Sequence, residues 1–337
     1  MSHTTDRLGR PLQDLRISVT DRCNFRCVYC MPKAVFGPSF AFLPRQELLT
    51  FEEIVRVASI FAELGVHKIR LTGGEPLVRK DIEQLVSQLR VITGIDDLAM
   101  TTNGSLLTRE RAQRLKDAGL MRVTVSLDSL DNDKFQAIND VKFPVKRVIE
   151  AIDNAAQVGL APIKINMVVK RQVNDSDVLP MAEYFRGTGH ILRFIEYMDV
   201  GTANGWRLDD VVPASEIVAR IESKWPLIPI APKRSGDVAR RFRYQDGAGE
   251  IGVISSVSQP FCQNCSRARL SPEGQLFLCL FAQTGFDLRR WLRKGHDDSE
   301  IRRVIENIWQ GRSVRYSEER SEQTVGIPKV EMFRIGG

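Results

Sequence analysis

Eight residues near the N-terminus, CNFRCVYC at 23–30, hold three cysteines in the spacing Cys-x3-Cys-x2-Cys. They follow an apolar, β-rich run at 15–20, so the pattern predicts a loop at the carboxyl end of a first strand. A [4Fe–4S] cluster takes four cysteines for full protein ligation. Cys23, Cys27 and Cys30 would therefore hold one cluster and leave one iron open to a small chelating ligand.

The open iron suits the amine and carboxylate of the methionine part of S-adenosylmethionine (SAM). Electron transfer into the SAM sulfonium would break a C–S bond and release a carbon radical. Tyr29 is an aromatic side chain that can pack on an adenine. A zinc site or plain surface thiols are the alternatives, but a structural zinc ion takes four protein ligands, and the nearest histidine is His67.

Strand and helix patterns alternate over the first two-thirds of the chain. Such alternation predicts a parallel sheet with helices outside it and ligands at the carboxyl ends of its strands. Six units are too few for a closed eight-fold barrel, and an open doubly wound sheet and a partial barrel both fit the pattern. The predicted strands are 15–20, 68–72, 98–102, 122–127, 164–169 and 192–197, and the predicted helices between them are 51–64, 81–91, 109–118, 144–158 and 177–185.

The pattern changes after about residue 209, which predicts two domains, 1–210 and 211–337. The second, smaller domain is expected to be α+β. Pro226, Pro229 and Pro232 indicate a linker, and the last 25 or so residues are expected to lack regular structure. Predicted elements of the second domain are helices at 214–223, 287–294 and 300–310, and strands at 241–245, 249–257 and 276–280.

The other three cysteines of the chain, Cys262, Cys265 and Cys279, form a second group. A hairpin at 271–274 would bring the strand that carries Cys279 back beside the Cys262–Cys265 loop. Three ligands again favour a cluster with one open iron. A zinc site completed by His190 or His296 stays possible from the spacing.

Basic residues point to an anionic ligand. Arg16 and Arg70 each interrupt an otherwise apolar strand, Lys164 opens another, and Arg267 and Arg269 would point to the same side of a strand. Arginine forks suit phosphate oxygens. The formal net charge of +6 agrees, and the absence of a dense Lys/Arg block with interleaved aromatic residues disfavours nucleic acid as a partner.

Composition is that of an ordinary globular protein: 337 residues, 43% hydrophobic and 27% charged. The sequence has no apolar run of about 20 residues, so we expect no membrane span. The polar N-terminus does not resemble a secretory signal. Six cysteines without an obvious disulfide framework suit a reducing compartment, and we expect the cytoplasm.

A second motif, Thr72-Gly73-Gly74-Glu75-Pro76, follows the second predicted strand. By itself it could be a tight turn. Placed after the Cys-x3-Cys-x2-Cys loop, it resembles the motif with which the radical SAM superfamily binds the SAM amino group, and Glu75 can accept hydrogen bonds from an ammonium. Ser126, at a strand end, could bond the SAM carboxylate or ribose, or merely cap the local backbone. This resemblance favours a partial (βα)6 TIM-type barrel whose open side the C-terminal domain covers.

Within that superfamily, the chain closely resembles the GTP 3′,8-cyclase family, which starts molybdenum cofactor synthesis. The matching segments run in the order of the family along nearly the whole chain, and only the segment 34–40 is less familiar. They are 15–27, 42–45, 70–76, 101–104, 125–129, 193–198, 261–269, 278–281 and the terminal Gly336-Gly337.

The resemblance implies two [4Fe–4S] clusters, SAM as cofactor and GTP as substrate. SAM would yield methionine and a 5′-deoxyadenosyl radical that takes the C3′ hydrogen of GTP, and the product would be a 3′,8-cyclised dihydroguanosine triphosphate. The glycine tail would enter the active site and support catalysis. An electron donor, a downstream pathway enzyme, and a monomer or homodimer are also implied. The implied SAM contacts are Tyr29, Gly74, Ser126 and Met198, and the implied GTP contacts are Arg16, Arg70, Thr101, Lys164, Arg267, Ala268 and Arg269.

Two other functions remain open from the sequence. The first is a radical SAM enzyme that modifies a peptide and uses the second cysteine group as part of an auxiliary-cluster domain. The second is a non-enzymatic module that binds zinc or nucleic acid through the C-terminal cysteines and basic surface. Auxiliary-cluster domains usually carry more cysteines than this chain has to offer.

Overall fold

The computed structural model describes residues 4–232, 236–321 and 326–336. The strands are β1 (Asp14–Ser18), β2 (Lys68–Thr72), β3 (Asp97–Thr102), β4 (Arg122–Ser126), β5 (Lys164–Val169), β6 (Ile191–Glu196), β7 (Leu227–Ile230), β8 (Arg240–Tyr244), β9 (Glu250–Ile254), β10 (Arg267–Leu270), β11 (Gln275–Phe277) and β12 (Phe286–Asp287). The α-helices are α1 (Phe51–Glu63), α2 (Ile82–Arg90), α3 (Arg109–Asp117), α4 (Asn132–Asn139), α5 (Val145–Gln157), α6 (Val178–Phe185), α7 (Ala214–Glu222), α8 (Leu288–Arg293), α9 (Asp298–Gln310) and α10 (Met332–Ile335).

The strands form one mixed sheet in the order β12-β11-β10-β1-β2-β3-β4-β5-β6-β9-β8-β7. Strands β1 to β6 are parallel neighbours in chain order, as the strand–helix alternation predicts. Strands β10 and β9 continue the parallel pairing beyond β1 and β6. The outermost strands on each side pair antiparallel. The C-terminal third therefore extends the same sheet on both sides.

Helix α1 shows how the local sequence sets an element. The Thr50 hydroxyl accepts a hydrogen bond from the Glu53 backbone N–H at 3.2 Å, and the Glu53 carboxylate accepts one from the Thr50 N–H at 2.8 Å. Together these two hydrogen bonds form a capping box. Gly65 follows the helix with a φ of 104°, a conformation that favours glycine. The helix buries Ile54 and Phe61 in the main hydrophobic core.

Alternation along the strands sorts the side chains into two sets. Leu15 and Ile17 of β1 are fully buried in the core, whereas Arg16 between them lines a cavity of about 360 Å³. The register pairs Arg16 with Arg70 and Lys164 with Thr124, so cations from successive strands share one face. Strands β1 to β6 surround one cavity and are connected by helices, which is the arrangement of a partial (βα)6 barrel. Residues 236–317 supply the remaining wall of the cavity.

Several sequence predictions about local structure are wrong. The proline-rich stretch contains strand β7, where Pro229 is tolerated because β7 is at the end of the sheet. Strand β11 ends at Phe277, so Cys279 lies beyond the strand instead of within it. The tail contains the short helix α10, and helix α4 was missed. In the described residues, the helices are too short or too polar to cross a bilayer.

Candidate functional site

The first cysteine loop is held against the ends of β2 and β3. Gly74 packs on the backbone of Arg22, where a Cβ would collide with the Arg22 carbonyl. The Glu75 N–H donates to the same carbonyl at 2.9 Å. The Asn103 side chain donates to Asn24 at 2.9 Å and approaches the Cys23 sulfur at 3.8 Å. The Gly-Gly-Glu-Pro motif thus supports the loop directly, which explains the need for glycine at position 74.

Glu75 has a structural task within this turn. It is buried, and its carboxylate accepts hydrogen bonds from the Leu77 N–H at 3.0 Å, the Thr102 hydroxyl at 2.7 Å and the Asn103 N–H at 2.7 Å. Burial raises the pKa of Glu75 to about 7, against the effect of these donors. The side chain therefore ties the ends of β2 and β3 together.

The expected SAM contacts lie on elements around this loop. The Tyr29 hydroxyl donates to Asp128 at 2.7 Å, and Asp128 also accepts from the Val168 N–H at 2.8 Å. Ser126, two residues before Asp128, ends β4. Met198 lies after β6 and lines the cavity. The structure therefore fixes the Tyr29 ring near the carboxyl ends of β4 and β5 and places Met198 on the cavity side.

The second cysteine group lies on the cavity wall. Cys262, Cys265 and Cys279 all line the cavity, Cys262 in a 3-10 turn and Cys279 after β11. The Arg267 guanidinium donates to the Cys265 sulfur at 3.2 Å, and the Phe281 N–H approaches the Cys279 sulfur at 3.5 Å. These contacts fit thiolates, which accept hydrogen bonds. The β10–β11 hairpin therefore places Cys279 on the same cavity wall as Cys262 and Cys265.

Electrostatics differ between the two groups. Burial, with the Glu75 charge, raises the pKa of Cys23 to about 12. Burial alone would raise that of Cys265 too, but the charges of Arg267 and Arg312 lower its pKa to about 6. Cys265 is thus stabilised as a thiolate, whereas burial raises the pKa of Cys279, and Cys23 and Cys279 would lose their protons on binding a metal cluster. All six cysteines are free of disulfides.

A zinc ion at the second cysteine group would need a fourth protein ligand. Within residues 4–232, 236–321 and 326–336, no three Cys, His, Asp or Glu side chains are grouped so that they could hold one metal ion. No histidine lines the described part of the cavity, so neither His190 nor His296 completes a Cys3His site there. The three cysteines of each group are half-buried, and donors approach the sulfurs of Cys23, Cys265 and Cys279.

The cavity carries excess positive charge. Asp14 pairs with Lys68 at 2.7 Å, and Asp97 pairs with Arg122 at 2.6 Å. In the part of the chain that is described, other cations on the wall have no carboxylate in ion-pair contact: Arg16, Arg70, Lys164, Arg193, Arg267 and Arg269. Several buried cations without counter-charges call for a multiply charged anion.

The pKa values reflect this crowding. Burial, followed by the charges of Arg193 and other neighbours, lowers the pKa of Lys164 to about 7. Burial, then Arg269 and Arg70, lowers the pKa of Arg16. Because like charges and low polarity both disfavour the cationic form, an anion bound here would relieve both effects.

Two expected GTP contacts are placed differently. The Thr101 hydroxyl is buried and has no hydrogen-bond partner among the described residues, and Thr101 is not one of the residues that line the cavity. Ala268 alternates with Arg267 and Arg269, and its fully buried side chain packs in the hydrophobic core. Only its backbone can therefore take part in binding at the cavity.

The C-terminal tail reaches the cations. The Gly336 carbonyl accepts hydrogen bonds from Arg269 and, at 3.5 Å, from Arg16. The Ile335 carbonyl accepts another from Arg269 at 3.1 Å. Gly336 has a φ of 67° and packs on Thr72, at the end of β2. Gly337 lies outside the described residues.

The sequence reasoning missed several residues of the cavity wall. A signal existed for Lys68, which lies two residues before Arg70 on the same strand face, and for Arg193, which interrupts an apolar strand as Arg16 does. Arg10 and Arg312 gave no local signal, because they come from distant loops.

Comparisons with known proteins agree with this geometry. Residues 17–185 match the family model of the radical SAM superfamily, and residues 190–318 match that of Molybdenum Cofactor Synthesis C. A protein of Acidothermus cellulolyticus called GTP 3′,8-cyclase is 57% identical, with 98% of each chain covered. One of the same name from Staphylococcus haemolyticus is 48% identical, again over 98% of each chain.

A solved structure shows the same fold. It is the Streptococcus suis protein SuiB bound to S-adenosylmethionine, with a TM-score of 0.63 over 93% of this chain and 68% of that chain. The sequence identity is 15%, so the likeness concerns the fold alone. The family follows from the sequence matches over almost the full length: this chain belongs to the GTP 3′,8-cyclase family of radical SAM enzymes.

Proposed function

We propose that this protein is a lyase that converts GTP to (8S)-3′,8-cyclo-7,8-dihydroguanosine 5′-triphosphate and splits SAM into 5′-deoxyadenosine and methionine. This would be the first step of molybdenum cofactor biosynthesis. The observation that carries the proposal is the cavity in which unpaired cations from β1, β2, β5 and β10 face Cys262, Cys265 and Cys279. The names and near-complete coverage of the relatives support it.

We assign one [4Fe–4S] cluster to each cysteine group, with three thiolates apiece. When bound, such clusters supply single-electron transfer to SAM at the first site and an open iron for the purine at the second. Gly74, which packs on the Arg22 backbone of the first cysteine loop, would also contact SAM, and Asp128 holds Tyr29 in one orientation. Ser126 and Met198 would contact SAM from the ends of β4 and β6.

The triphosphate is assigned to the cations. Arg16, Arg70, Lys164, Arg267 and Arg269 line one cavity and offer several guanidinium forks for phosphate oxygens. Thr101 would add a hydroxyl, and Ala268 would contribute through its backbone. Anchoring the phosphates holds the ribose in one place, so that C3′ can lie near the radical carbon.

Control of a reactive radical requires a site that excludes water. The end of the tail contacts the cations, because the Gly336 carbonyl accepts hydrogen bonds from Arg16 and Arg269. We assign the two terminal glycines a supporting role: a tail without side chains can enter the cavity and leave room for the nucleotide.

Labelled substrate tests the reaction. Reduced, reconstituted protein should form 5′-deoxyadenosine from SAM only when GTP is present, and deuterium at C3′ of GTP should appear in it. If no deuterium is transferred, the assigned hydrogen abstraction is wrong. Arg267→Ala should weaken GTP binding and keep the first cluster. Loss of both clusters in that variant would make Arg267 a structural residue instead.

The proposal also covers the partners of the enzyme, its compartment and its domain boundary. The enzyme needs an electron donor and a downstream enzyme that consumes its product, and works as a monomer or homodimer. Six cysteines outside disulfides suit the reducing cytoplasm. We place the boundary between the barrel domain and the C-terminal domain at residues 210 and 211. A peptide-modifying enzyme would need further cysteines, and all six are already assigned.

A further inference from the structure

The N-terminal turn, residues 4–12, lies outside both matched family models, which begin at residues 17 and 190. It is closed by an isolated bridge between Thr5 and Pro11. Asp6 organises it, because one carboxylate oxygen accepts from the backbone N–H groups of Leu8 and Arg10, both at 2.9 Å. The turn is therefore an ordered structure with a buried carboxylate at its centre.

The other oxygen of Asp6 binds two guanidinium groups. It lies 2.6 Å from Arg10 Nε and 3.3 Å from Arg312 Nη1. The three side chains are almost wholly buried, with relative exposures of 0% for Asp6, 1% for Arg10 and 2% for Arg312. Arg312 follows helix α9, so this ionic triad joins the N-terminal turn to the segment after α9.

Both arginines also hold the second cysteine loop. Arg10 Nη1 donates to the Cys262 carbonyl at 2.9 Å, and Arg312 Nη1 donates to the Cys265 carbonyl at 2.7 Å. The Trp309 indole N–H donates to the Arg10 carbonyl at 3.1 Å, and the Arg312 guanidinium lies over the Trp309 ring at 4.6 Å. The orientation of each guanidinium is thus fixed from several sides.

The charges of the triad do not cancel. Two guanidinium groups share one carboxylate, which leaves one buried positive charge, and a buried charge without compensation is costly. Both arginines line the cavity beside Cys262 and Cys265. A [4Fe–4S] cluster with a core charge of 2+ and three thiolates carries a net negative charge. The cluster site therefore offers the missing counter-charge.

We propose that Asp6, Arg10 and Arg312 are positioning residues for the second cluster: they hold the Cys262–Cys265 loop by its carbonyl groups and keep a positive charge beside the cluster. This inference rests on the proposed function, since it takes the second cluster from it. Positive charge and hydrogen bonds near a cluster favour its reduced form and so raise its reduction potential. The N-terminal turn thereby becomes part of the active site.

The test measures the second cluster alone, in the full chain with Cys23, Cys27 and Cys30 replaced by alanine. Iron and sulfide content and an anaerobic potential titration followed by electron paramagnetic resonance are the two readouts. We expect Arg312→Gln and Arg10→Gln to shift the midpoint potential downward. Arg312→Lys keeps the charge and should stay near the unsubstituted potential. Arg7→Gln is the matched control, since Arg7 is exposed in the same turn.

Each outcome decides the matter. A lower potential in both glutamine variants, with rescue by Arg312→Lys, supports the proposal. Selective loss of the second cluster in Arg312→Gln, in a chain with an intact first cysteine group that keeps its own iron, supports it as well. An assembled cluster with unchanged potential in both glutamine variants overturns it, as does loss of both clusters together. If the unsubstituted chain binds no second cluster, the proposed function itself fails.

Discussion

Lys164 offers a sharp test of the anion site through pH. Its pKa is about 7 because it is buried among Arg193, Arg122 and Arg70. A bound triphosphate supplies negative charge and should return that pKa towards the ordinary value of about 10.4. Binding then takes up a proton at any pH between the two values, so affinity falls as pH rises through this window.

The size of the effect follows from the fraction of Lys164 that is protonated in the free protein. With a pKa of about 7, that fraction is roughly a quarter at pH 7.5 and about one hundredth at pH 9. GTP affinity should therefore drop about twentyfold over this range. The terminal phosphate is already almost fully ionised across it, because its last pKa lies near 6.

Anaerobic titration calorimetry with GTP and without SAM measures the affinity. Repeating the titration in two buffers with different ionisation enthalpies also gives the number of protons taken up on binding. Lys164→Met should bind GTP weakly with little dependence on pH over this range. Lys164→Arg should bind well with the same flat profile, because guanidinium stays charged. If the unsubstituted protein and Lys164→Met lose affinity in parallel as pH rises, the proton is not on Lys164 and the reasoning is refuted.

Two further substitutions test the supports of the site. Gly74→Ala forces a Cβ against the Arg22 carbonyl. A strain of about 1–3 kcal/mol would lower SAM affinity about five- to 150-fold, and an equilibrium binding measurement showing unchanged affinity would count against the close approach of Gly74 to Arg22. Arg269→Gln removes donors to the Ile335 and Gly336 carbonyls. Amide exchange at 329–336, followed by mass spectrometry, should speed up about tenfold, and unchanged protection would show that Arg269 does not hold the tail.

Much of the fold follows from local sequence signals. Strands β1 to β6 are apolar runs separated by amphipathic helices, and the capping box at Thr50 fixes the start of α1 within one residue. Strand β7 was not predicted because prolines usually interrupt sheets. The sheet order shows that β7 is an edge strand that pairs only with β8, so it needs few of its N–H donors.

The site was predictable where its residues sit in motifs or strands. Alternation alone predicts that Arg267 and Arg269 share a face, and the register places them beside Asp14 and Arg16. The triad of Asp6, Arg10 and Arg312 could not be found in this way. Its members come from loops about 300 residues apart, and no periodic pattern connects them.

The sheet order has a consequence for how the chain can be divided. Strand β1 pairs with β10, and β6 pairs with β9, so both outer strands of the parallel barrel meet partners that are made much later. A fragment that ends near residue 210 would expose two unpaired strand edges, the kind of surface that promotes aggregation. During synthesis, the β6 edge stays open until β9 (Glu250–Ile254) is made, and the β1 edge until β10 (Arg267–Leu270) is made. The two matched regions are therefore parts of one folding unit in which the later segment protects the earlier one.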